Sequence, residues 1–150
     1  MSDLELYQQV ILDHNRHPRN FGEPSEYTHR AEGYNPLCGD RVKIFVRANR
    51  ELIEQVSFSG EGCAICKASA SILTDVARNK TVSGLLEQYE CFRKMLAGDK
   101  GHGVVEPKLK VFSSVSQFPS RVKCAALPWH ALKGALTEKT LVTTEGGESI

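Results

Sequence analysis

The segment NPLCGDRVKIFVRANRELIEQVSFSGEGC, residues 35–63, predicts two antiparallel strands set between two cysteine-bearing turns. Apolar and polar residues alternate over residues 41–47, which is the period of a half-buried strand. A polar turn over residues 48–51 lets residues 52–59 return antiparallel to that strand. The sequence therefore predicts a β-hairpin. The two faces of its first strand carry Val42, Ile44 and Val46 on one side and Arg41, Lys43, Phe45 and Arg47 on the other.

The turn before the hairpin places a thiol and a carboxylate two residues apart, at Cys38 and Asp40. Pro36 fixes its own φ and biases Asn35 away from helix, while Gly39 can adopt a positive φ. The turn can therefore direct both side chains toward one point, as a metal-binding turn does.

Two further cysteines, Cys63 and Cys124, follow turn residues and precede stretches with a helical pattern. With Cys38 and Asp40 they supply three thiolates and one carboxylate, a set that suits tetrahedral zinc or an iron-sulfur cluster. Spacing alone leaves open the alternative that each thiol is a small core residue. No histidine lies next to Cys63 or Cys124, so Asp40 is the preferred fourth ligand. The histidines are His14, His17, His29, His102 and His130.

Helical periodicity predicts the other elements. The first helix begins with a capping box from Ser2 to Glu5, and the bland interpretation of His14 and His17 near its end is capping or surface exposure. A short third strand near residues 32–34 is suggested only by its position. The further predicted helices cover Cys63 to Asn79, Thr81 to Leu96, Leu109 to Phe118, and Cys124 to Glu138. Phe118 is a candidate core residue, and Pro128 is expected within the first two turns of the last helix.

A chain of 150 residues with 19 basic and 18 acidic residues predicts one domain, residues 1–139, and a flexible tail, residues 140–150. The net charge of +1 without a basic cluster disfavours binding to nucleic acid. No signal peptide or long apolar stretch is evident, so we expect no membrane segment and a cytoplasmic protein. Five cysteines in such a chain favour metal or sulfur chemistry over disulfides.

Two further features leave alternatives open. Cys63 and Cys66 form a C-x-x-C pair, which could be a thioredoxin-like redox motif, but the preceding strands form a hairpin and not a parallel βαβ unit. Cys66 is then a spectator or a reserve thiol near the metal, and Cys91 is structural. A site with four anionic ligands also favours nearby cations. Each candidate cation could contact the ligands or be an ordinary solvated surface charge. The candidates are Arg41, Lys67, Arg121 and Lys123.

Four stretches resemble the IscU/NifU-like iron-sulfur assembly proteins, and the SufU branch most closely. They are residues 14–22, residues 35–40, residues 60–71 and residues 118–132. Lys123 stands where IscU has histidine, and residues 118–123 replace the Leu-Pro-Pro-Val-Lys chaperone motif of IscU. The spacing from Cys63 to Cys124 is longer than in IscU, with Glu90 to Pro107 as the extra segment, whose role the sequence leaves open.

The resemblance implies an α+β fold in which a small, about three-stranded antiparallel sheet packs against several helices. It implies a zinc-dependent sulfurtransferase that takes persulfide sulfur from a SufS-type cysteine desulfurase for iron-sulfur cluster biogenesis, with iron-sulfur scaffold proteins downstream. Cys38, Asp40, Cys63 and Cys124 then hold the zinc, and an imidazole of the desulfurase replaces Cys38 on it.

We expect Cys38 to be the nucleophile because it lies on a glycine-flanked loop that can move. Cys63 and Cys124 lie at predicted helix starts, which anchor them. Two other functions stay open. The same cysteines could hold a [2Fe-2S] cluster on an IscU-like scaffold, although the missing histidine and chaperone motif disfavour this. The zinc could also be purely structural in a domain that binds a partner.

Overall fold

A computed structural model describes residues 3–137 and 141–143 of the chain. Three strands form an antiparallel sheet: β1 (His29–Asn35), β2 (Asp40–Asn49) and β3 (Leu52–Glu61). The predicted hairpin is therefore confirmed, and the short strand near residues 32–34 is part of β1. A fourth strand, β4 (Leu141–Thr143), pairs parallel to β1 and gives the order β3-β2-β1-β4.

Helices pack against this sheet, so the expected α+β class is confirmed. The helices are α1 (Asp3–Arg16), α2 (Ala64–Ala77), α3 (Val82–Leu96), a 3₁₀ helix (Pro107–Gln117) and α4 (Pro119–Leu136). Helix α4 packs on β1 and β2, α2 packs on β3, and α1 packs on α2. None of the helices in the described part of the chain is long and apolar enough to cross a membrane.

Helix α4 approaches the sheet closely where β1 has no side chain. A Cβ on Gly33 would lie 3.0 Å from Leu127 Cδ1 and 3.2 Å from Ala131 Cβ. Any larger residue at position 33 would therefore push α4 away from the sheet. A small residue on α2 also contacts α4 directly. Ser69 Oγ donates a 2.6 Å hydrogen bond to the carbonyl of Ala125.

The opposite face of β2 is more covered than the alternating pattern predicts. Phe45 is fully buried there, because the Tyr27 ring packs against it at 5.2 Å between centroids and the Arg30 guanidinium lies over it. The segment before β1 supplies this cover. Alternation alone could not reveal it, since Tyr27 belongs to a stretch without regular structure.

Three predictions about the C-terminal half need correction. Helix α4 begins at Pro119 and not at Cys124, because proline suits the first helical position and the Phe118 carbonyl accepts from Arg121 N and Val122 N. Pro128 consequently lies in the middle of α4, beyond its first two turns. Phe118 is 46% exposed and lies outside the core, because it precedes the helix and its ring stacks under Arg121.

The chain ends are only partly described. Ser2 of the predicted capping box lies outside the described residues. The predicted flexible tail, residues 140–150, contains β4, so its residues 141–143 form a sheet edge. The rest of that range lies outside the described residues, as do residues 138–139.

A glycine at the end of the hairpin gives a test of this fold. Gly60 has a φ of +133°, and an added Cβ would overlap the Arg41 carbonyl oxygen of β2. We expect Gly60→Ala to lower the free energy of unfolding by about 3 kcal/mol, from backbone strain and overlap together. Urea denaturation followed by circular dichroism measures this change.

Gly22 provides the matched control, since its φ is +124° but nothing lies within 4 Å of an added Cβ. Gly22→Ala should cost only the strain, about 1 kcal/mol. Equal losses in the two variants would contradict the close approach of β3 to Arg41.

Candidate metal centre

Cys38 lies on the exposed turn that joins β1 to β2. The turn is held by Asn35, whose carbonyl accepts from Gly39 N at 2.8 Å and whose Oδ1 accepts from Leu37 N at 3.2 Å. Gly39 has a φ of +72°, which an L side chain rarely adopts, so glycine is favoured there. The backbone of the turn is ordered, while the Cys38 side chain is open to solvent.

Asp40 begins β2 and is only 1% exposed. Its Oδ1 accepts a 2.9 Å hydrogen bond from the backbone N–H of Cys63, and its Oδ2 lies 3.7 Å from Cys63 Sγ. A buried carboxylate is costly unless it is paired or hydrogen-bonded. Asp40 meets this requirement by joining the start of the hairpin to the start of α2.

Cys63 is the N-cap residue of α2, as the sequence predicts, and its Sγ accepts from Cys66 N at 3.4 Å. A hydrogen bond from the Cys124 thiol lowers the pKa of Cys63 to about 7, burial opposes this, and the Cys66 amide assists it. The same hydrogen bond raises the pKa of Cys124. Cys63 therefore loses its proton more readily than an ordinary thiol, and Cys124 retains its proton. A cation bound by both sulfurs would displace that second proton.

Cys124 is 5% exposed and lies in the second turn of α4, five residues after the helix begins. The sequence did not predict that Cys124 lies this far inside the helix, since the predicted helix begins at Cys124 itself. The hydrogen bond from Ser69 to the next residue, Ala125, holds this turn of α4 against α2. Sequence reasoning missed Ser69, because its partner lies 56 residues away and no local pattern marks it.

The structure brings together one ligand atom each from Cys38, Asp40 and Cys124, all within 4.8 Å of one another. Cys63 is not part of that group of three, but it borders it through its contacts with Asp40 and Cys124. Three sulfurs and one buried carboxylate are a donor set that fits zinc, and sulfur donors also fit iron-sulfur chemistry.

A cavity of about 540 Å³ opens over the three thiols. Its walls are mainly apolar and come from α1, the start of α2 and the start of α4. They are formed by Gln8, Ile11, Leu12, Ala64, Ile65, Ser120 and Arg121, besides Cys38, Cys63 and Cys124. A sulfur-bearing group from outside could therefore reach the thiols.

Of the four cations predicted near the site, Arg121 lines this cavity. Arg41 instead pairs with Glu32 at 3.0 Å, and the Lys67 ammonium lies over the Phe21 ring. Lys123 also has an interaction partner in the structure. Arg121 is therefore the predicted cation whose placement fits a role beside the ligands.

Two histidines have partners away from the site. His14 is buried and not on the surface as expected, since its Nδ1 lies 2.7 Å from Ser71 Oγ on α2, and burial lowers its pKa. His130 pairs with Tyr89 through a 2.6 Å hydrogen bond, which confirms the predicted packing role.

The two remaining cysteines are Cys66 and Cys91. Cys91 is half-buried on α3. Cys66 is buried, and this burial raises the pKa of its thiol.

Comparison with known proteins gives consistent relatives. The zinc-dependent sulfurtransferase SufU of Bacillus subtilis (strain 168) is 36% identical over 95% of this chain and 93% of its own length. The iron-sulfur cluster assembly scaffold protein IscU of Streptococcus pyogenes serotype M1 is 33% identical over 87% of this chain and 82% of its own length.

A solved structure extends the similarity to the fold. The crystal structure of the iron-sulfur cluster assembly scaffold protein SufU from Fervidobacterium islandicum AW-1 superposes with a TM-score of 0.82 at 30% identity. The similarity covers 90% of this chain and 99% of that one. The family described as NifU-like N terminal domain matches residues 6–136. The chain therefore belongs to the NifU-like N-terminal domain family, the IscU/NifU family, and is a SufU-type member of it.

Proposed function

We propose that this protein is a zinc-dependent sulfurtransferase, which accepts persulfide sulfur from a SufS-type cysteine desulfurase and passes it on for iron-sulfur cluster biogenesis. The observation that carries the proposal is the convergence of Cys38, Asp40 and Cys124 within 4.8 Å, with Cys63 beside them and Cys38 exposed on a turn. The name of the Bacillus subtilis relative supports the same activity.

The proposed zinc ligands are Cys38, Asp40, Cys63 and Cys124. Three of these groups are held in place: Asp40 by the Cys63 amide, Cys63 by its position as the N-cap of α2, and Cys124 by its position inside α4. Zinc bound there would keep the thiols deprotonated at neutral pH. The raised pKa of Cys124 means that this deprotonation depends on the cation.

Cys38 is the proposed nucleophile because it is the least restrained of the three thiols. Its side chain is exposed on a turn, and the neighbouring Leu37 is 72% exposed. Cys124 is buried within α4, and movement of the Cys63 sulfur would remove the cap of α2. The reason therefore differs in part from the one that the sequence suggested, since Cys124 is inside a helix and not at its start.

The transfer step is a thiol exchange without net oxidation. The Cys38 thiolate attacks the terminal sulfur of the donor persulfide, a new sulfur–sulfur bond forms on Cys38, and the donor cysteine leaves as a thiolate. The proton of the donor persulfide stays on the transferred sulfur. The apolar cavity over the thiols would exclude water from the two sulfurs while a partner covers it.

The desulfurase is the proposed donor, and downstream iron-sulfur scaffold proteins are the proposed destination of the sulfur. All five cysteines are free thiols, which suits a reducing compartment, and the proposal places the reaction in the cytoplasm.

A scaffold on which a [2Fe-2S] cluster is assembled is the second candidate. The names of the Streptococcus pyogenes and Fervidobacterium relatives favour it. The cluster would be cargo held by the same thiols. Lys123, next to Cys124, stands where the resemblance to IscU places a histidine. A lysine is a poor replacement for an imidazole ligand.

Replacement of the exposed thiol tests the sulfur transfer. We expect Cys38→Ala to keep measurable zinc binding through the other three groups, but to form no persulfide after incubation with the desulfurase and cysteine. Intact-protein mass spectrometry measures the added sulfur, and cysteine turnover measures stimulation of the desulfurase. Cys91→Ala, at a half-buried thiol on α3, is the matched control and should behave as the wild type. If Cys38→Ala still stimulates the desulfurase normally, Cys38 is not the nucleophile.

Metal content separates the two candidate functions. Protein purified without oxygen should be colourless and contain about one zinc per chain, since the site has a single set of tetrahedral donors. Elemental analysis and the visible spectrum check this. A brown protein with stoichiometric iron and sulfide would support the scaffold instead.

A further inference from the structure

The thiol of Cys66 has no part in the transfer proposed above, yet it lies close to the candidate ligands. It is 2% exposed, in the first turn of α2. Its backbone N–H donates to Cys63 Sγ, but its own sulfur makes no hydrogen bond to any residue that the structure describes. A buried thiol without a partner, three residues from a candidate ligand, calls for an explanation.

Asp40 and Cys66 face the same small gap. A Cβ on Gly62 would lie 3.3 Å from Asp40 Oδ1 and also 3.3 Å from Cys66 Sγ. Because Gly62 has no side chain, nothing at position 62 fills the space between the carboxylate and the thiol. Cys66 does not line the large cavity over the other three thiols; it lines a separate, small pocket together with Gly62 and Lys67.

The spacing of Cys63 and Cys66 also fits ligation. Two cysteines separated by two residues recur in tetrahedral zinc sites. In such a pair the second residue can donate its backbone N–H to the first sulfur, as Cys66 N does to Cys63 Sγ at 3.4 Å. A helical cysteine has two favoured χ1 rotamers, so its sulfur can take either of two directions without movement of the helix.

We propose that Cys66 is an alternative metal ligand that competes with Asp40 for one coordination position. The inference rests on the proposed metal site. With Asp40 bound the donor set is three thiolates and one carboxylate, and with Cys66 bound it is four thiolates. In the exchange the metal–oxygen bond breaks, a metal–sulfur bond forms and the Cys66 proton passes to solvent. The formal charge of the ligand set is unchanged, but softer cations favour the four-thiolate form.

X-ray absorption spectroscopy of zinc-loaded Asp40→Asn tests the exchange directly. The amide keeps an oxygen that accepts from Cys63 N, so α2 keeps its start, but it is a much weaker ligand than a carboxylate. Sulfur and oxygen neighbours differ in distance, at about 2.3 Å and about 2.0–2.2 Å from zinc. We expect four sulfurs around zinc in Asp40→Asn and three in Asp40→Asn with Cys66→Ala. Three sulfurs in Asp40→Asn would overturn the proposal.

Zinc affinity gives a second readout that does not depend on sulfur transfer. We expect Cys66→Ala to weaken binding by about tenfold or more in the Asp40→Asn background, and by less than about threefold where Asp40 is intact. Cys91→Ala should have no effect in either background. Equal losses in the two backgrounds would overturn the competition, whereas a wild-type chain that binds no zinc would refute the proposed function instead.

Cadmium provides a version of the test that needs no change at Asp40, should Asp40→Asn fail to fold. This soft cation should select four sulfurs in the wild-type chain and three in Cys66→Ala. Three sulfurs around cadmium in the wild type would overturn the proposal.

Discussion

The hydrogen bond from the backbone of Cys63 to the carboxylate of Asp40 is the constraint on which the site depends. It joins the first residue of β2 to the N-cap of α2, two positions that are 23 residues apart in the chain. Because the carboxylate is buried, loss of this partner would leave an uncompensated charge in the interior. One interaction therefore orients a candidate ligand and fixes the helix start that carries another.

Cys124, another candidate ligand, reaches the site through packing of a different kind. Helix α4 approaches β1 closely because Gly33 has no side chain, and Ser69 of α2 bonds to the carbonyl of Ala125. These contacts place Cys124 against Cys63, where a hydrogen bond between the two thiols lowers the pKa of Cys63. The site thus lies where the sheet, α2 and α4 meet, and its geometry is as rigid as their packing.

Rigidity is distributed unevenly among the thiols, and this difference gives the proposed chemistry its direction. Cys63 and Cys124 are held by helices, Cys38 extends from a turn into an open cavity, and Cys66 is buried beside the same small gap as Asp40. A site of this kind can release one sulfur toward a partner while the remaining groups hold the cation. Stability and transfer are then assigned to different residues.

The sequence by itself determined the hairpin, the cap at Cys63 and the identity of the donor atoms, because alternation, turn residues and side-chain chemistry are local properties. The family followed from the same short motifs. Only the tertiary structure decided that α4 begins before Cys124, that Phe45 and His14 are buried, and that Cys66 shares a gap with Asp40. Those facts depend on contacts between residues far apart in the chain, which no local pattern encodes.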